Sequence, residues 1–449
     1  MTRGPITKKM IAYTVPIILT GVLQLLFNAA DLVVVGRFGD ESSIAAVGAT
    51  GSIINLIVNM FMGLSVGTGV TIAHAIGAGH DEDTRDTLHT AIPMALVGGV
   101  ILMCIAIPFA KPMLLLMQNP PDVIEKSTVY MQIYFAGIVG NLLYNYGAAV
   151  LRAVGDTKSP LLFLTISGVV NVGLNLLFVI VFHLDVAGVA LATTISQNLS
   201  AVLVIIALTR RTDACKLEFK RLRIKKRPLL KMLRIGIPAG IQGSLFSISN
   251  VIIQSSVNSF GKVVMAGHSA AANIEGFLYT SQNAFYQSSL NFTGQNVGAK
   301  KYDRIKKVMG NALMLVFITG GVLGALSLLF RNELLSIYIP NAPESIKWGA
   351  LRMTILSSTY FLCGLMEVST GLLRGMGKSI QPMITSILGV CVFRVGWVMT
   401  VFQMEKYHTL ECLYLSYPIS WAATFILQMS IFLWIYSKTV RKHKERYSQ

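Results

Sequence analysis

Charge is what this 449-residue chain has least of. Asp, Glu, Lys and Arg make up only 13% of it, against about 25% in an average soluble domain. Hydrophobic residues reach 53% and mean hydropathy is +0.61. A deficit of this size argues against a water-surrounded globule, because most of the chain has no solvated face to offer. Cysteine is scarce too. The five (Cys104, Cys215, Cys363, Cys391 and Cys412) stand far apart without a C-x-x-C pair, which leaves disulfide and thiolate-metal roles without support. His74 and His268 have no metal-ligand company. Gly67-Thr68-Gly69 lacks a phosphate-loop pattern and reads as a close helix contact. No nucleophile–base set stands out, so enzyme activity and a resident cofactor are not expected.

What is abundant is long apolar sequence. Runs of 20 or more residues recur, the length needed to cross roughly 30 Å of hydrocarbon at about 1.5 Å per residue. The sequence predicts an all-α polytopic membrane protein with twelve spans, near 10–35, 43–76, 88–110, 127–151, 161–182, 186–209, 229–260, 264–297, 305–330, 346–373, 380–402 and 409–437. With the N-terminus in the cytoplasm, the inner segments hold 27 Lys and Arg and the outer loops hold 7. That asymmetry is the positive-inside pattern with both termini cytoplasmic. The net charge of +17 therefore reads as topology and contact with anionic lipid, and nucleic acid is not an expected partner. Lys8 and Lys9 precede the first span with no small-residue cleavage site, as in a retained helix. A monomeric, multi-pass protein of the plasma membrane, of bacterial inner-membrane type, is expected.

The chain also repeats itself. Pro16, Gly21, Asn28 and Gly39 match Pro238, Gly243, Asn250 and Gly261, each at an offset of 222. Leu151-Arg152 through Pro160 matches Leu373-Arg374 through Pro382 at the same offset. Six spans per half put both halves in the same orientation, related by a pseudo-two-fold axis along the membrane normal. The expected organisation is a first lobe at 1–209, a basic cytoplasmic linker at 210–228, a second lobe at 229–437 and a basic tail at 438–449. Pro16 and Pro238 each interrupt an apolar run, where a missing N–H favours a helix bend.

Inside the spans stand three acids, Asp31, Glu275 and Glu367, and one arginine, Arg394. A charge at mid-bilayer costs about 3 kcal/mol on insertion scales, so such residues usually face a bundle interior or a water path. Asp31 is the strongest of them. Asn28 and Gln24 precede it by three and seven residues, on one helix face. The coupling ion would be H+ or Na+, and Asp31 is the expected ligand if it is the metal. Asn171 and Asn175, one turn apart, add amides to the fifth span. Gln24, Asn28, Asn145, Asn250, Glu275 and Glu367 are expected to line a substrate cavity. The buried charges break the repeat, since Asp31 falls on Ile253 and Glu367 on Asn145.

Several stretches resemble the multidrug and toxic compound extrusion (MATE) family: Pro16…Gln24…Asn28-Ala-Ala-Asp31…Gly36-Arg-Phe-Gly39, Gly77-Ala-Gly, Leu151-Arg-Ala-Val-Gly-Asp156, Gly294-Gln-Asn-Val-Gly298 and Leu373-Arg-Gly-Met-Gly377. The likeness covers essentially the whole chain. It implies two six-helix lobes in a V, and antiport of amphipathic, cationic organic compounds against H+ or Na+ by alternating access. Carried over by position, Asp31 matches the family's ion-coupling acid and Asn171 its helix-five asparagine. Asn175 falls where many members have an aspartate, and Thr193 is similar to a polar residue of the same pocket. Phe246 and Cys363 replace the helix-seven glutamate and helix-ten aspartate of NorM-like members, so the chain looks more like the DinF-like side. A flippase for a lipid-linked precursor and a transport-dead scaffold are the alternative readings. The first would need a basic cavity, whereas the interior charges singled out here are mostly acidic.

Overall fold

The computed structural model describes residues 1–39, 41–116 and 121–447. Among them there are helices and no strands. Hydrocarbon requires this, because a helix satisfies its backbone polar groups within one segment. The first half comprises α1 (Ile6–Phe38), α2 (Glu41–Ala78), α3 (Asp81–Leu116), α4 (Pro121–Ala136), α5 (Ile138–Val154), α6 (Lys158–Leu176) and α7 (Asp185–Thr209). The second comprises α8 (Lys226–Asn258), α9 (Lys262–Gly298), α10 (Tyr302–Leu329), α11 (Arg331–Tyr338), α12 (Pro343–Gly375), α13 (Ile380–Ser386), α14 (Phe393–Met399) and α15 (Leu410–Tyr447).

Ten spans among the described residues are helices both long and apolar enough to cross a membrane on their own. The other two complete the expected twelve, and each falls short for a physical reason. The span predicted as one helix over 127–151 is broken at Gly137 into α4 and α5. A Cβ at Gly137 would lie 2.3 Å from the Thr194 side chain, so the absent side chain at the break lets α7 come close. Helix α9 is long but polar, with Gln282, Ser288, Ser289, Asn291 and Asn296 all buried. It faces a glycine-lined side of α12: a Cβ at Gly364 would lie 1.9 Å from Gln282 Oε1, and one at Gly371 2.1 Å from Ser289 Oγ. Small residues at such an interface let two helices approach closely, and Ser289 Oγ donates across it to the Val368 carbonyl at 3.3 Å.

Packing divides the chain into two compact units. One is Leu19–Gly240; the other is Met1–Ile18 together with Ile241–Gln449. These bounds differ from the lobes expected from the repeat, because each half's first membrane helix contributes its opening turns to the other unit. The two crossing points, after Ile18 and after Gly240, are themselves related by the offset of the repeat and lie just past Pro16 and Pro238. In the Leu19–Gly240 unit, Ile54, Leu102, Phe135, Ile138 and Val189 share one core. In the other unit, Met10, Tyr13 and Ile17 of α1 pack with Phe292, Val308 and Leu372.

The basic linker is docked, not free. Cys215 and Leu217 enter the core around Ile72, Leu88 and Val204. Lys225 pairs with Asp86 at 2.5 Å, and the Glu218 N–H donates to His89 Nε2 at 3.0 Å.

The Gly67-Thr68-Gly69 stretch has a packing role. A Cβ at Gly67 would stand 2.1 Å from the Met232 carbonyl oxygen, within one unit, whereas one at Gly321 would meet nothing within 4 Å. Overpacking of this kind costs about 1–3 kcal/mol. Thermal unfolding in detergent should therefore show Gly67→Ala clearly destabilised and Gly321→Ala unchanged or slightly stabilised. Equal melting of the two variants would contradict the close contact.

Candidate functional site

In the Leu19–Gly240 unit, α1, α6 and α7 bring four side chains into a closed ring. Asn175 Nδ2 donates to Asp31 Oδ1 and, at 3.2 Å, to Asn171 Oδ1. Asn171 Nδ2 lies 3.5 Å from Thr193 Oγ1, which donates to Asp31 Oδ2 at 3.4 Å. Asn171 and Asn175 meet because they stand one turn apart on α6; both are buried. Helix α6 continues into a π-helical segment, Leu177–Val181, that begins just beyond Asn175. Such wide turns often accompany functional positions.

Each Asp31 oxygen thus accepts one hydrogen bond from a neutral donor. Among the described residues, no Lys, Arg or His forms an ion pair with it. Asp31 is half-buried; a carboxylate inside a membrane span without a counter-charge is costly, and a proton or a small cation removes that cost. The ring supplies carboxylate, amide and hydroxyl oxygens, a hard donor set suited to an alkali cation and unsuited to soft transition metals. Asn175 Oδ1 is buried without a hydrogen-bond partner, an acceptor still to be satisfied. No group of three or more His, Cys, Asp or Glu side chains that could hold a metal converges among the described residues.

The other predicted residues do not join this ring. Gln24 and Asn28, on α1, are exposed. Asn145 turns back on its own helix, donating to the Asn141 carbonyl at 2.8 Å and to Asn141 Oδ1 at 3.0 Å. Asn250, Glu275 and Glu367 belong to the other unit, where Asn250 is exposed. Glu275 is locked in a buried ion pair: Arg352 Nη2 lies 2.7 Å from its Oε2 and Nε 3.0 Å from its Oε1. Arg352 Nη1 also lies 3.0 Å from both ring nitrogens of His268, whose Nδ1 is 3.1 Å from the Tyr414 hydroxyl. Glu367 is buried and makes no ion pair among the described residues. Arg394 stacks over Tyr417 at 4.1 Å and donates to Ser420 Oγ at 3.0 Å, so it does not pair with Glu367.

Three kinds of residue were missed in the sequence. Arg352 sits toward the start of its span, where a basic residue passes for an end anchor; the buried acid Glu275 was the clue that a cation had to face it. Tyr130 lies within electrostatic range of Asp31, and its ring stacks with that of Tyr134 at 6.5 Å. Gln197, one turn past Thr193, stands beside Tyr134, and its Oε1 is buried without a hydrogen-bond partner. The one-turn spacing of Tyr130 with Tyr134, and of Thr193 with Gln197, was the available signal.

Twelve spans in two repeat-related halves, with a carboxylate held by neutral amide and hydroxyl groups, make a polytopic membrane protein with a polar site inside its spans. The MatE family model matches residues 16–177 and again 238–398, two stretches whose starts are related by the offset of the repeat and which together cover most of the chain. The chain belongs to that family. The "Probable multidrug resistance protein YoeA" of Bacillus subtilis is 26% identical over 446 residues, covering 97% of this chain and 96% of its own. The "Probable multidrug resistance protein NorM" of Thermotoga maritima is 24% identical over 415 residues, covering 91% and 88%. Among solved structures, a MATE protein in complex with MaL6 superposes with a TM-score of 0.92 at 20% identity over 98% of both chains. A MOP superfamily transporter from Pyrococcus furiosus gives 0.91 at 20% identity over 97% of both.

Proposed function

We propose that this protein exports amphipathic, cationic organic compounds by exchange with H+ or Na+, through alternating access, with the ion taken up at Asp31. The observation that carries the reading is the closed ring of Asp31, Asn175, Asn171 and Thr193. It holds a carboxylate by neutral donors and leaves its charge to be balanced by an exchangeable ion. The curated relatives YoeA and NorM, both described as probable multidrug resistance proteins, support the cargo class.

In this reading both termini are cytoplasmic, the protein acts as a monomer in the plasma membrane, and Pro16 and Pro238 mark where α1 and α8 bend. Glu275, being paired with Arg352, acts in stability and not in cargo contact. Of the mid-span charges singled out in the sequence, those left without an ion pair are then Asp31 and Glu367 against Arg394, which suits a cation better than the anionic carrier of a flippase. The test is ethidium movement in proteoliposomes of purified protein under an imposed pH or Na+ gradient. Gradient-driven accumulation is expected. Ethidium movement indifferent to both gradients would contradict antiport.

A further inference from the structure

The two halves carry corresponding pockets at the starts of α3 and α10, and these differ in charge. Asp81, at the start of α3, and Asp303, at the start of α10, correspond at the offset of the repeat, and each lines its pocket. The first pocket, of about 550 Å³, sets three acids, Asp81, Glu82 and Asp86, among five Lys and Arg. Its Lys225 is already paired with Asp86. The second, of about 460 Å³, holds Lys300, Lys301, Arg304, Lys307 and Lys444 against Asp303 alone. Lys301 Nζ and Arg304 Nη2 donate to the carbonyl oxygens of Thr2 and Gly4, at 2.9 and 2.7 Å. Those acceptors are neutral, so both charges stay uncompensated. The Lys300 and Lys307 side chains make no hydrogen bond or ion pair among the described residues.

Arg304 and Lys307 also line an adjoining pocket of about 520 Å³, which runs on past Gly310 to Met314. Asn311, bonded to Thr7, lies between Gly310 and Met314, so the lining changes along α10 from cationic to uncharged and then to apolar. A Cβ at Gly310 would meet nothing within 4 Å. Beyond it Met314, Phe317 and Ile318 are about half exposed, at 48%, 51% and 51%, as befits a surface that faces lipid. A cationic pocket that leads through an uncharged groove onto an apolar helix surface matches an amphiphile with an anionic head, and a free anion would leave the apolar arm unexplained.

We propose that this end of the Met1–Ile18 and Ile241–Gln449 unit binds an anionic phospholipid. The headgroup phosphate is held by Lys300, Lys307 and Arg304, and one acyl chain lies along α10 past Gly310 and Met314. Basic pockets beside membrane helices recruit anionic headgroups by this chemistry, each Lys or Arg being worth roughly a fivefold change in affinity. The site shares no residue with the Asp31 ring, which belongs to the other unit, and does not depend on what is transported.

The test is native mass spectrometry of the full-length protein in detergent. Phosphatidylglycerol, phosphatidylcholine and inorganic phosphate are added separately, and thermal unfolding is followed alongside. Wild type should retain and be stabilised by phosphatidylglycerol in preference to phosphatidylcholine. The double variant Lys300→Asn/Lys307→Gln should bind phosphatidylglycerol roughly 25-fold more weakly; Asn suits the positive φ of 55° at Lys300. Gly310→Phe, which keeps every charge but fills the apolar arm, should weaken it as well. Lys220→Gln/Arg221→Gln, in the less basic pocket of the first half, should change nothing. Undiminished phosphatidylglycerol binding in the double variant overturns the site. Equal protection by inorganic phosphate, or an unaffected Gly310→Phe, overturns the lipid assignment in favour of a soluble anion.

Discussion

Arg352→Ala should be the most destabilising single substitution in the Met1–Ile18 and Ile241–Gln449 unit. Arg352 and Glu275 are both nearly inaccessible, at 6% and 5% side-chain exposure, and joined at 2.7 Å. The guanidinium also stacks against Tyr414 and Tyr417, with both ring centroids 5.6 Å away. Removing it strands a carboxylate among buried aromatic rings. Breaking a buried pair from one side costs about 3–5 kcal/mol, a large part of the roughly 5–15 kcal/mol that holds a folded domain together. Replacing both members by apolar residues of similar size, Glu275→Leu with Arg352→Met, removes the stranded charge and should recover most of the loss. Thermal unfolding of the purified proteins separates these cases. A single variant as stable as the wild type, or a double variant no better than the single, would show that the pair is not what holds α9 to α12 at this depth.

Asp31→Asn should abolish exchange while leaving the fold in place. Asparagine keeps the shape of the side chain and still accepts one of the two hydrogen bonds, so the ring with Asn175 and Thr193 remains packed. What is lost is the charge, and with it the ability to hold a proton or Na+ in one half of the cycle and release it in the other. Ethidium movement in proteoliposomes should then become independent of pH and Na+ gradients. Asn175→Ala, which removes donors to both Asp31 and Asn171, should impair exchange through the same ring. Asn145→Ala should have little effect, because Asn145 bonds only within its own helix. Gradient-driven transport by Asp31→Asn at the wild-type rate would remove Asp31 from the mechanism.

Much of this architecture is written in the sequence, for reasons that can be named. Hydrocarbon tolerates few charges, so the spans stand out as apolar runs, and the repeat is visible because Pro16, Gly39 and Arg152 recur with their partners at constant offset. The Asp31 ring is legible because Asp31, Asn171, Asn175 and Thr193 are polar residues in otherwise apolar helices, and such residues must converge or be left unsatisfied. Three features escaped. The break at Gly137 depends on how near Thr194 comes, which only the packed structure reveals. The polar face of α9 packs against the glycines of α12, which lie three helices further along the chain. The assignment of the first turns of α1 and α8 to the opposite units breaks the assumption that a sequence repeat and a packing unit share boundaries. The Arg352–Glu275 pair was half visible, as an acid with no partner yet assigned.

The account rests most heavily on one claim, that the ion and the organic cargo are linked through Asp31. Equilibrium binding of ethidium to purified protein, followed by fluorescence as Na+ and pH are varied, tests it without transport. Linkage is reciprocal: an ion that opposes cargo must weaken cargo binding by the same factor that cargo weakens the ion, typically about 5–150-fold. Wild type should lose ethidium affinity as Na+ or proton concentration rises, by a factor in that range, and Asp31→Asn should show one affinity throughout. An ethidium affinity that varies with the ion equally in both proteins would contradict the claim.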